Sequence, residues 1–372
     1  MTTTLLQTPF HDVHVNHGGK MVDFAGWSMP LHYGSIIDEH HQTRNSGSLF
    51  DVSHMGRFRF KGRDARRFLD FVCTRQIFGM SDGQARYSMV CNEDGGVKDD
   101  VLVYRLGESE YMMVCNASNR LKLIDHFADV RGDHVFKFTD ETESTGMVAV
   151  QGPKVMELIS NFSSEIPTLK RYRFTVKNLL IAKVMISRTG YTGEDGVEII
   201  LPGKFANKAV DMLMKNVGSG DDAAIKPAGL GARDSLRLEA GMALYGHEIT
   251  EEIDPVSANL GFAIKFNKGD DNPEIGRFIG QDVIDRLHTE GTARRLVGLV
   301  LEGRRAARQH MDVVINGTIV GEVTSGCLSP TLGTSIAMAY VDAANADPGT
   351  TVEVDLGRQQ IPATVTTLPF TA

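Results

Sequence analysis

The chain has 372 residues, 42% of them hydrophobic and 23% charged, with a formal net charge of −8. That length exceeds what one hydrophobic core organises, so two or three domains are expected, and the negative balance argues against nucleic-acid partners, which need clustered Lys and Arg. Four scattered cysteines (Cys73, Cys91, Cys115, Cys327), none in C-x-x-C spacing, signal neither a zinc site nor a redox dithiol and fit a reducing compartment.

The N-terminus, MTTTLLQTPFHDVHV, lacks the basic-then-apolar pattern of a secretory signal. No apolar run nears the roughly 20 residues that span a bilayer, so a cytoplasmic protein is expected. His11, His14 and His17 stand three apart, and His40 adjoins His41. They could hold a metal, but solvated loop histidines are the simpler reading. In FDVSHM, Ser53 and His54 are neighbours that would point apart on a strand, which makes a poor Ser–His pair and favours a structural role.

RFRF from Arg57 has strand character, and DARRFLDFVC places Phe68, Leu69, Phe71 and Val72 at helical spacing. YSMVCN, the turn EDGG and VKDDVLVYRL read as a β-hairpin. In VKDDVLVY, side chains alternate: Asp99, Val101 and Val103 share one face, Asp100, Leu102 and Tyr104 the other. Alternation does not choose which aspartate serves a site. Either both mark the strand's wet end, or one is held at the rim of a cleft and needs a donor.

YMMVCNAS is a further strand and NRLKLIDHFADV an amphipathic helix, giving a β-α-β-β-α order that suggests helices on an antiparallel sheet. A similar order recurs: the strand GMVAVQGP, the helix PKVMELIS, strands in FTVKNLLIAKVMIS and GVEIILPG, and the helix FANKAVDMLMKNV. Between these, SRTGYTGEDGVEI groups Thr189, Tyr191, Thr192, Glu194, Asp195 and Glu198 around three glycines. It is either an acidic surface turn or a reader of a polar heterocycle. AGLGARDSLRLEAGM reads as a helix with a Gly-rich entry. FNKGDDNPEIGRF is the expected linker. After Arg294, short strands parted by Gly, Asn and Pro, with a hairpin signal at Asn316-Gly317, read as an all-β barrel or sandwich. No P-loop, complete dinucleotide fingerprint or H-E-x-x-H occurs.

Seven stretches carry a resemblance: KMVDFAGWSMPLHYGS, LFDVSHMG, NEDGGVKDD, VQGP, SRTGYTGEDGVEI, GLGARDSLRLEAGMALYG and TSGCLSPTLGTSIAMAYV, in this order. Together they closely resemble the aminomethyltransferase family, the T-proteins of the glycine cleavage system, over nearly the whole chain. The resemblance implies an α+β, three-domain cloverleaf, with two α/β-sandwich (ferredoxin-like) folate-binding lobes and a C-terminal β-barrel. The implied boundaries are 1–50 with 140–260 for the first lobe, 51–139 for the second, 261–290 for a linker and 291–372 for the barrel.

It also implies transfer of the one-carbon unit of an aminomethyl-dihydrolipoyl H-protein to tetrahydrofolate, giving 5,10-methylenetetrahydrofolate and ammonia, with no metal. By the family's motifs, Asp100 is the catalytic carboxylate facing the folate N10. Glu198 and Tyr191 are expected to bind the pterin ring and Arg233 to contact the folate as well, while Tyr87, Met55 and Asn116 are expected to line the pocket. Arg304, Arg305 and Arg308 are candidates for the folate's acidic tail. Some members add a late tyrosine beyond the final Pro-Phe, and none follows Phe370 here. Related folate proteins fit less well: Cys327 lies in TSGCLSP and not in the K-G-C-x-x-G-Q-E motif of the iron–sulfur assembly branch. Folate-dependent demethylases are expected to lack G-G-x-x-D-D, and the amine oxidases carry a flavin-binding region absent here.

Overall fold

The computed structural model describes residues 4–179, 182–206, 208, 223–357 and 359–371. The chain is α+β and forms two compact units. The first comprises Met1–Ala65, Met80–Arg86 and Leu102–Asp234, the second Arg66–Gly79, Tyr87–Val101 and Ser235–Ala372. Among the described residues no helix is long and apolar enough to cross a membrane.

The first unit opens with a three-stranded sheet in the order Leu6–Gln7, Trp27–His32, Lys20–Phe24. Between its strands runs the helix His11–Asn16. The expectation of solvated loop histidines fails for His14, which is buried. It bridges the Asp51 carboxylate (Nε2···Oδ2 2.8 Å) and the Tyr33 hydroxyl (2.7 Å). Burial would raise the pKa of Asp51, but bonding to His14, with Ser53 and Thr8, outweighs it and holds the carboxyl below its usual range. His40 is also buried.

A six-stranded sheet follows, in the order Phe174–Leu179, Ala182–Ser187, Gly196–Pro202, Thr145–Gln151, Ser48–Asp51, Lys226–Pro227. FTVKNLLIAKVMIS is thus two antiparallel strands, Phe174 opposite Ser187 and Leu179 opposite Ala182. The segment read as the helix FANKAVDMLMKNV lies mostly outside the described residues. The RFRF strand (Gly56–Lys61) pairs antiparallel with Glu110–Cys115 and Lys137–Asp140. Phe58 and Phe60 from this strand meet Phe127 of the helix Arg120–Val130 edge-on, with centroids 6.2 and 5.8 Å apart.

In the second unit the C-terminal strands close into a six-stranded barrel. Its order is Arg294–Leu301, Ser335–Asp342, Thr318–Leu328, Asp312–Ile315, Thr351–Asp355, Gln360–Thr366. Alternation sorts each strand: Val297, Leu299 and Leu301 fill the barrel, while Leu296 and Val300 join a core with Met89, Val97 and Leu238. Asn316 and Gly317 both take positive φ, as a two-residue hairpin requires.

Two buried cations hold this unit. Arg237 pairs with Glu248 (2.8 Å) and donates to Ser325 of the barrel (2.8 Å); Thr324 and the Leu244 amide complete the Glu248 shell. Lys268 lies in the stretch expected as a linker, yet its ammonium is fully buried. It donates to the carbonyls of Asp70 (2.6 Å), in the last turn of the helix Ala65–Val72, and of Cys73 (2.9 Å) and Arg75 (3.1 Å) just past its end. The residues after it are not all irregular either, since Gln281–Glu290 is a helix. Lys268→Met is expected to lower the unfolding free energy in denaturant titration by about 3–5 kcal/mol, the range for breaking a buried charge pair. Lys61→Met, at a largely exposed pair with Glu110, should cost at most about 1 kcal/mol. Equal effects of the two changes would refute the anchoring role of Lys268.

Candidate active site

Within the first unit, the G-Y-T-G turn links strands Ala182–Ser187 and Gly196–Pro202. Buried Gln151 organises it. Its amide nitrogen is within bonding distance of the carbonyls of Thr189 (3.2 Å) and Val197 (3.3 Å), and its oxygen accepts from Thr192 Oγ1 (3.2 Å). A Cβ at residue 190 would sit 1.8 Å from that oxygen, so a larger residue there would have to push the Gln151 amide off these bonds. Two of the three carboxylates in the motif are consumed by arginines. Glu194 pairs with Arg44 (2.8 Å), and Asp195 takes Arg188 bidentately (2.9 Å for the Nε contact).

Glu198 differs from them. It lies inside the sheet, opposite Ala149 on one side and Ser187 on the other, and is 6% exposed. Its carboxylate accepts from Thr189 Oγ1, which is 2.8 Å from Ser187 Oγ. Burial raises its pKa, and the Thr189 bond and the nearby charge of Arg233 offset this only in part. Arg233, on the helix Leu230–Glu239, lies over the Tyr191 ring with 4.9 Å from guanidinium carbon to centroid. Burial lowers its pKa, and the Nη1 atom is buried with no hydrogen-bond acceptor. Glu198, Arg233 and Tyr191 are therefore gathered in one place. The arrangement offers an acceptor for a donor edge, a cation in need of an acceptor, and an aromatic wall.

Met55 and His54 follow the strand Ser48–Asp51. Fully buried Arg57 clamps that loop by donating to the carbonyls of Met55 (2.5 Å), Ser53 (3.0 Å) and Thr142, and to Thr145 Oγ1 (2.7 Å). Burial brings its pKa down to about 10. The Ser53 hydroxyl bonds the Met147 backbone (2.9 and 3.1 Å) and serves the fold. His54 is buried edge-on to Phe24, and burial lowers its pKa to about 4, so the ring is neutral near pH 7. Asn116 ends the strand Glu110–Cys115 and opens the short turn Ala117–Asn119.

In the second unit, the hairpin places the aspartate pair on opposite faces. Asp99 is fully buried with Val97 and Val101; Asp100 is partly exposed and accepts from the Tyr87 hydroxyl at 3.0 Å. The wet-end reading is wrong for Asp99. The glycine pair also has a cause: a Cβ on Gly96 would lie 1.7 Å from the Glu251 carbonyl oxygen, because the hairpin tip seats on residues 250–253. Phe262, unremarked in the sequence, stacks on Tyr87 (5.8 Å, 17°) although it is 61% exposed. Its carbonyl is held by Arg75 at 2.7 Å. Gln151 and Arg57 were missed as well. Gln151 sits in the quoted V-Q-G-P motif, and a buried amide after a β-run was the available signal. Arg57 reads locally as one of two outward arginines in RFRF.

The GCVT N-terminal domain model matches residues 10–268, and the glycine cleavage T-protein C-terminal barrel domain model matches 294–371. An aminomethyltransferase of Symbiobacterium thermophilum is 39% identical, covering 100% of this chain and 98% of that protein. One from Rubrobacter xylanophilus is 42% identical, covering 99% and 94%. The crystal structure of glycine cleavage system aminomethyltransferase T from Bartonella henselae matches with a TM-score of 0.89 at 32% identity, over 99% of this chain and 98% of that one. Full-length similarity at this level shows that the chain belongs to the glycine cleavage T-protein family of aminomethyltransferases.

Proposed function

We propose that this aminomethyltransferase takes its aminomethyl group from the dihydrolipoyl arm of a lipoylated H-protein and delivers the carbon to tetrahydrofolate. The carbon–sulfur bond and the carbon–amine bond break, bonds to folate N5 and N10 form, and the products are 5,10-methylenetetrahydrofolate, ammonia and the reduced arm. The observation that carries the reading is the pairing of buried, under-bonded Glu198 with the unmatched Nη1 of Arg233. A pterin presents adjacent N–H and NH2 donors that a carboxylate accepts together, and ring acceptors that a guanidinium can serve. Tyr191 packs against the Arg233 cation and supplies an aromatic face. Tyr87, Met55 and Asn116 line the pocket in this reading. The three-lobe division, with boundaries near residues 51, 140 and 291, and a cytoplasmic setting belong to the same proposal.

Asp100 is the catalytic carboxylate in this reading, with Tyr87 orienting it. Its role is to stabilise positive charge as the amine departs and to orient the reacting nitrogens, with no nucleophilic side chain required.

Three outcomes are expected. Glu198→Gln should weaken tetrahydrofolate binding by roughly 10- to 100-fold in calorimetry, since one acceptor becomes a donor facing a donor; parental affinity would sink the pterin assignment. Because burial raises the Glu198 pKa, wild-type affinity should be full above that raised value and fall as pH drops through it, and this acid limb should vanish in Glu198→Gln. Asp100→Asn should cut turnover by about 10²–10⁴ in an ammonia-release assay with aminomethyl-loaded H-protein, while tetrahydrofolate binding stays near wild type. Unchanged turnover would remove Asp100 from the chemistry.

A further inference from the structure

Glu39 is a buried carboxylate that the reaction does not use, on the helix Ile36–Asn45. One oxygen accepts from the Tyr33 amide at 2.6 Å and the other from the Gly229 amide at 2.8 Å. Gly229 immediately precedes the helix Leu230–Glu239 that carries Arg233, and the Arg233 amide donates back to the Gly229 carbonyl at 3.2 Å. The same junction is tightly closed: a Cβ on Gly229 would lie 2.3 Å from the Leu31 carbonyl oxygen, and one on Gly231 would lie 2.5 Å from Ile36 Cδ1. A helix start exposes amides without intrahelical partners, and a carboxylate there gains from both the hydrogen bond and the dipole. Burial raises the Glu39 pKa against the two amide bonds, so the carboxylate is kept at a cost, and a glutamate of purely local use would be free to face solvent.

We propose that Glu39 is a positioning residue for the folate site: it locks residues 31–39 to the start of the Arg233 helix and so sets where the guanidinium stands over Tyr191. The inference rests on the reading that Arg233 contacts the folate. It does not involve contact between Glu39 and substrate. A side chain must be held to a fraction of an ångström for its hydrogen bond to a ligand to count fully. Glu39 supplies this for Arg233 through its two bonds to the Tyr33 and Gly229 amides.

Glu39→Gln keeps the side chain's shape but offers one acceptor and one donor to two amide donors. It should raise the KM and Kd for tetrahydrofolate by about tenfold while leaving kcat at saturation unchanged, because one of two charge-assisted bonds is lost. A merely structural role would lower thermal stability without this KM-against-kcat split. In an Arg233→Met background, Glu39→Gln should add no further loss of affinity, since its effect passes through the guanidinium. Full additivity, or an unchanged Kd in Glu39→Gln alone, overturns the proposal. If Arg233→Met alone leaves binding intact, the Arg233 reading fails instead, which separates the two. Should Glu39→Gln not fold, Gly229→Ala pries open the same junction against Leu31 and is expected to weaken binding likewise. Wild-type affinity in that variant would overturn the proposal equally.

Discussion

A carboxylate inside a β-sheet with a single hydroxyl donor is a costly thing to build, and Glu198 is such a group. Stripping water from an ionised carboxylate costs several kcal/mol unless hydrogen bonds and opposite charge replace the lost solvation. Thr189 and the charge of Arg233 return part of it, and the remainder shows as the raised pKa. The Gln151 bonds that shape the preceding turn, the close approach at Gly190 and the Arg–carboxylate pairs at Glu194 and Asp195 all fix the backbone around this one side chain. The sheet tolerates an unsettled charge because its surroundings leave it no freedom to turn elsewhere.

The loops that meet this sheet are fixed by polar anchors, whereas the strands are fixed by apolar packing. Arg57 spends nearly all of its donors on carbonyls and a hydroxyl of two loops, 53–55 and 142–145. His14 ties the N-terminal helix to the end of the strand Ser48–Asp51. Such anchors suit a binding protein: loops held by directional bonds keep side-chain positions that apolar contacts alone would let drift.

What was legible in the sequence follows the range of the forces involved. The hairpin at Asn92–Asp100, the alternation in VKDDVLVY and the barrel strands after Arg294 depend on neighbours a few residues away, and each reads locally. Asp100 emerged as the accessible member of its pair only through the burial of its face-mate set around Asp99, which alternation alone did not decide. The misreadings have distant causes. His14 is taken out of solvent by Asp51, 37 positions on, and Lys268 by carbonyls nearly 200 positions back. A lysine between asparagine and glycine looks like a linker until the helix end it caps is known. The residues proposed to bind folate were reached through motif resemblance, because no local pattern distinguishes Glu198 from the two acids nearby in the same motif.

The buried charges of the molecule, taken together, sort themselves. Glu248 has Arg237, Thr324 and a backbone amide; Glu239 has Ser329, Thr331 and a backbone amide. Asp70 takes Arg66, Lys268 and the amides of Ile77 and Phe78, and Glu39 takes two amides. Among the cations, Arg57, Arg237 and Lys268 are surrounded by acceptors. Native interiors satisfy nearly all such groups, so departures carry information. Here a carboxylate with one hydroxyl donor and a guanidinium with a buried, unmatched nitrogen occur beside each other. Two deficits of opposite sign at one place are what a ligand with both donors and acceptors would fill, and a heterocycle with an amide-like edge has that composition. Of these carboxylates and cations, Glu198 and Arg233 are the ones left short, and the proposed folate contact rests on that contrast.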